Sequence, residues 1–116
     1  MASSIPGGFT VTDDVIMDMV GYAALASYGV VGMAAPTLSD GIAKLLPQRS
    51  LRRGIDMEKL ADGLRIDLFI VVEHGTNMAE VSRMLAENVR YALEDSAQLP
   101  VESVNVHVQG VKVRNS

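Results

Sequence analysis

From Leu64 to Ile70 the chain alternates, with Leu64, Ile66, Leu68 and Ile70 on one parity and Arg65, Asp67 and Phe69 on the other. Period two is the mark of a strand with one face on a core. Glu73-His74-Gly75-Thr76-Asn77 interrupts the run, and Met78, Val81, Leu85, Val89 and Ala92 then recur at alternating short steps along the chain. That spacing makes an amphipathic helix, and its outer face reads Glu80, Arg83, Glu87, Arg90, Glu94. Opposite charges one helical turn apart add about 0.2–0.5 kcal/mol per pair, so this face reads as solvated surface.

The same reading extends to the rest of the chain. Residues 1–8, with Ser3, Ser4, Pro6, Gly7 and Gly8, form a flexible lead-in, and Phe9 to Val11 a short extended piece. Thr12 is placed to cap a helix from Asp13 to Tyr28, with Asp13 and Asp14 in its first turn and Ile16, Val20, Ala23 and Ala24 on its inner stripe. Gly29 can end it in the left-handed conformation. Gly29 to Ala35 reads as a short strand, stopped by Pro36, and Thr37 or Ser39 can cap a short helix through Ala43 to Leu46. Gln48 to Gly54 is a polar, basic connection. Arg53–Leu60 and Leu64–Val72, joined by Ala61-Asp62-Gly63, predict a β-hairpin. After Pro100 a last strand turns Val104, Val106 and Val108 inward. The apolar series then slips to Val111 and Val113, which places a β-bulge at Gln109-Gly110.

These elements predict an α+β fold: a two-layer sandwich in which a small mixed sheet containing a β-hairpin is covered by two amphipathic helices. A chain of 116 residues is one domain by size, here residues 9–116. The absence of cysteine excludes disulfides, thiolate zinc sites and cysteine nucleophiles together. A net charge of −4 argues against a domain that works by neutralising phosphates, so nucleic acid is an unfavoured partner. The N-terminus lacks a basic stretch followed by an apolar one, so no secretory signal is read and a cytoplasmic location is expected. Met19 to Ser39 carries no charge, but Ala, Gly and Ser dominate it. It reads as a buried helix and strand rather than a membrane span.

Candidate chemistry is sparse. Asp14 and Asp18 lie one helical turn apart, a spacing open to a divalent cation, yet hard cations usually need about six or more oxygens and acidic first turns have a dipole explanation. His74 stands at a strand end and His107 on the outward face of the last strand, neither in a metal-binding or catalytic spacing. Gly29-Val30-Val31-Gly32 compares weakly with the Gly-x-x-Gly loop of RNA-clamping KH domains. Arg49, Arg52 and Arg53, with Lys44 nearby, are the one basic concentration and the tentative interaction loop. No catalytic residue, metal ligand or cofactor is assigned, and a non-enzymatic protein is expected.

Together the stretches Val15-Ile16, Gly29-Val30-Val31-Gly32-Met33, Gly75-Thr76-Asn77, Glu80-Val81, Glu87 to Glu94, and Val104 to Val108 running into Gly110-Val111 resemble the alkaline-shock-protein family of Gram-positive envelope stress response proteins. Two positions depart from the family pattern: Ala86 stands where glutamine is frequent, and Gln98-Leu99 replaces a common Gly-Leu. The resemblance implies a small cytoplasmic stress-response protein without a catalytic set. It also implies a scaffold or interaction role near the inner membrane face, through self-association or a membrane-anchored protein partner. The alternative is a small-ligand or RNA-binding module using the glycine turns and the Arg49/Arg52/Arg53 loop.

Overall fold

A computed structural model describes residues 4–5, 9–10, 12–36 and 45–113. The chain runs β1 (Ser4–Ile5), β2 (Phe9–Thr10), α1 (Asp13–Leu25), β3 (Val30–Met33), a 3-10 turn (Gln48–Gly54), β4 (Ile55–Leu60), β5 (Gly63–Glu73), α2 (Met78–Tyr91), a π turn (Ala92–Ser96) and β6 (Val101–Lys112). β1 and β2 pair with each other. The flexibility expected of residues 1–8 and most of the short helix expected before Pro47 fall outside the described residues. At that helix's expected end the chain is extended instead, with Leu45 bridged to Ala34 and the Leu46 amide bonded to the Met33 carbonyl at 2.8 Å.

The alternating strand is the centre of the sheet. Along one edge β5 pairs antiparallel with β4 through Gly63–Leu68 and with β3 through Ile70–Val72. Along the other it pairs in parallel with β6, from Leu64↔Val101 to Glu73↔Lys112. Parallel neighbours need a crossover, and α2 supplies it. The mixed two-layer sandwich expected from the pattern is the fold. Ile66, Leu68, Ile70 and Val72 face Ile16, Val20 and Ala24 of α1 and Val81, Leu85 and Val89 of α2 in one cluster of buried side chains. The predicted hairpin forms, and the positive backbone angle sits on Gly63 (φ 137°).

Boundaries moved where local chemistry competes. Helix α1 stops at Leu25, three residues short of the expected Tyr28, and Gly29 (φ 82°) turns the chain into β3. Helix α1 is capped as the sequence suggests, by Thr12 accepting from the Val15 amide, and α2 by Asn77 accepting from the Glu80 amide. The basic connection is not an irregular loop but the 3-10 turn, which buries Leu51. The bulge in β6 is confirmed: Ile70 pairs Val108 and Val71 pairs Gly110, leaving Gln109 as the extra residue. A second shift, between Val101 and Ser103, makes Glu102 extra as well.

Gln98 is the one non-glycine residue with a positive φ (56°) among the described residues. It occupies the place where the resembling family commonly has glycine. A left-handed residue with a Cβ costs about 1–2 kcal/mol, and glycine adds unfolded-state entropy that offsets about 0.5–1 kcal/mol of the gain. Gln98→Gly should therefore raise stability by up to about 1 kcal/mol in a urea melt, whereas Gln98→Ala should not.

Candidate functional site

β6 forms the outer edge of the sheet. Among the described residues it pairs only with β5, so the backbone groups on its far side have no strand partner. Ser103–Val108 is the regular stretch between the two bulged residues. Val104, Val106 and Val108 lie on the helix side and are only half-buried, while Asn105 and His107 are exposed on the other face. Ser82, Arg83 and Ala86 of α2 border the strand. With Arg65 and Asp67 they line a shallow groove of about 620 Å³ that wraps around the edge.

Two charge clusters rim this groove. Arg83 bonds Glu80 and, at 2.8 Å, Glu87, and the hydrogen bond to Glu80 foremost pushes its pKa above the ordinary arginine range. On the opposite face His107 Nε2 lies 2.9 Å from Asp67 Oδ1, and its ring stacks on Phe69 with centroids 4.6 Å apart. Asp67 also faces Arg65 Nε at 3.4 Å. The Arg65 guanidinium offsets the repulsion expected where Asp56 sits directly opposite Asp67 in the hairpin. The sequence put His107 on the outward face but gave no sign of Asp67, because the parallel register that joins them spans 40 residues.

The tentative arginine loop is divided by the structure. Arg52 grips Asp18 with two hydrogen bonds, Nε to Oδ1 at 2.7 Å and Nη2 to Oδ2 at 2.8 Å, and stands 3.4 Å from Asp14. It ties the 3-10 turn to α1. Arg49 and Arg53 are exposed and make no ion pair among the described residues; Lys44 lies outside them. Asp13, the remaining acid of that helix start, pairs with Lys59 at 2.8 Å. Asp14 and Asp18, the spacing open to a cation, thus serve an arginine. Among the described residues no group of three or more His, Asp or Glu side chains is placed to hold a metal ion. His74 is exposed at the turn after β5, its backbone N–H donating to the Lys112 carbonyl. Gly29 is a packed turn residue and Val30-Val31-Gly32 belongs to β3, so the four do not form a free loop: a Cβ at Gly29 would lie 2.5 Å from Val81, and one at Gly32 2.9 Å from Leu45.

The Arg52 hydrogen bond lowers the pKa of Asp18. A carboxylate depressed by folding contributes stability that is fully present above its unfolded pKa and is lost as pH falls through the folded one. Arg52→Ala should lower the melting temperature modestly at neutral pH. The difference from wild type should shrink and vanish as pH drops below the ordinary aspartate range, and Asp18→Asn added to Arg52→Ala should cost little more. A gap that persists in acid would show that Arg52 acts by packing alone.

Four strands in one mixed sheet, with a free edge strand and one layer of helices, define the class of a small α+β sandwich domain. The chain belongs to the alkaline shock protein 23 family, described as having a cell envelope-related function, which it matches over residues 2–113. It is 34% identical over 110 residues to the protein YloU of Bacillus subtilis (strain 168), covering 94% of this chain and 92% of that one. A stress response regulator gls24 homolog of Streptococcus pyogenes is 27% identical over 114 residues, 98% of this chain and 64% of that protein. Among solved structures, MamM-CTD superposes with a TM-score of 0.51 at 14% identity, covering 89% of this chain and 100% of that one, a likeness of fold alone.

Proposed function

We propose that this protein is a non-enzymatic interaction module of the envelope stress response, cytoplasmic and held at the inner membrane face by protein contacts. The observation that carries the reading is the free β6 edge and its groove, a surface on which a partner strand can continue the sheet. The titratable groups around it support the same reading, because Arg83, Asp67 and His107 are engaged with neighbouring side chains rather than converging on a reactive position. Family membership supports the envelope setting. No described helix is long and apolar enough to cross a membrane, which favours attachment through a partner. The alternative ligand or RNA module has less support, since Arg52 is neutralised and Gly29 and Gly32 are packed.

The test is recovery of the tagged full chain from gently lysed, cross-linked cells of the source organism, with membrane and soluble fractions kept apart. Co-recovery with a membrane protein, lost on deleting that protein and on Val106→Lys, is expected. A free soluble chain with no protein cross-link would overturn the reading.

A further inference from the structure

The proposed interaction role leaves open what sits on β6, and the residues along the edge narrow it. We infer that the occupant is a second copy of this chain, paired antiparallel through β6 about a two-fold axis that passes at Val106. The inference rests on the interaction reading above.

A two-fold axis perpendicular to a sheet keeps both helical layers on one face, so such a pairing sets α2 beside its own copy. Reversing β6 about Val106 brings Val104 against Val108 of the second copy, Val106 against itself, and Asn105 against His107 on the other face. Apolar meets apolar and polar meets polar from Val104 to Val108, within the regular stretch between the bulged Glu102 and Gln109. Moving the axis to Asn105 would instead set Val108 against Glu102.

The helix is compatible with the same symmetry. Ser82, Arg83 and Ala86 share the groove with Val104 to His107, so the axis at Val106 passes the middle of α2, between Arg83 and Ala86. Reversing α2 about Leu85 places Glu80 opposite Arg90 and Arg83 opposite Glu87. These exposed or half-exposed charges, now paired within one helix, each find an opposite sign on the second. Ser82 and Ala86, the small residues on the rim, allow the close approach of about 8–10 Å that packed helices require. A strand from an unrelated partner would use the backbone edge but would have no reason to match this charge order.

The chain has no cysteine, so each introduced one reports a single position. Directly opposite residues in an antiparallel pair stand about 4.5–5.5 Å apart at Cα, within disulfide reach. Val104 would lie about 13 Å from its own counterpart, well outside it. Under mild oxidation the purified Val106→Cys chain should form a covalent dimer on a non-reducing gel. Val104→Cys and Val108→Cys should each stay monomeric alone and cross-link when mixed. Sedimentation of the unmodified chain should show its mass doubling with concentration, and Ala86→Arg, on the helix rim, should abolish that doubling with an unchanged circular dichroism spectrum. Cross-linking no greater for Val106→Cys than for Val104→Cys, or a wild-type monomer at every concentration, would overturn the second copy as occupant. If Val106→Lys nevertheless releases a membrane protein partner in cells, the interaction reading survives that failure.

Discussion

Leu85→Ala should destabilise the domain by about 2–5 kcal/mol, read as a fall in the urea midpoint with little change in slope. Leu85 is fully buried, at the middle of α2, in the cluster that joins both helices to β5. Truncation removes its transfer energy and leaves a cavity that rigid neighbours on α1 and the sheet cannot close. For a domain of ordinary stability, about 5–15 kcal/mol, this is a large fraction of the total. Ser82→Ala, almost one turn earlier but on the groove rim, should shift the same midpoint by no more than about 0.5 kcal/mol. The contrast separates the face of α2 that builds the core from the face left for recognition. Equal costs at the two positions would mean that the groove is part of the core.

The second large effect is expected at Gly29. Its φ of 82° lies in the left-handed region, and a Cβ there would come within 2.5 Å of the fully buried Val81. Gly29→Ala therefore pays about 1–2 kcal/mol for the backbone and about 1–3 kcal/mol for overpacking. Gly75 supplies the control. It has a φ of 90°, but nothing lies within 4 Å of its Cβ position, so Gly75→Ala should show the backbone cost alone. A Gly29→Ala chain that kept its stability while losing binding to RNA or a small ligand would restore the glycine-loop alternative. The structure instead gives Gly29 a packing role between the end of α1 and the start of α2.

These two positions also show what a sequence can and cannot disclose. The strand at Leu64–Val72, the helix from Met78, the hairpin and the Gln109 bulge were legible because each rests on a local pattern: period two, an apolar stripe, a turn glycine, a one-residue slip. What escaped the sequence depends on residues far apart. Nothing near Arg52 announces that its fork closes on Asp18, 34 residues earlier, so the basic loop read as an interaction site when one of its three arginines fastens the 3-10 turn to α1. The valines of β6 announced a strand. That its far side is open among the described residues follows from β5 taking β3 and β4 on one edge and β6 on the other, which only the topology supplies. The departures from the family pattern proved informative in the same way: Gln98 marks a left-handed turn, and Ala86 lines the groove.

The account turns on the β6 edge being the recognition surface, and amide hydrogen exchange on the purified full chain, at low and high concentration, tests that most directly. Exchange at Ser103–Val108 should be fast when the chain is dilute, on the outward-facing amides of the strand, and slow as concentration rises. The β4 amides should not change. Exchange in β6 that is indifferent to concentration, with new protection appearing on another surface, would contradict the account.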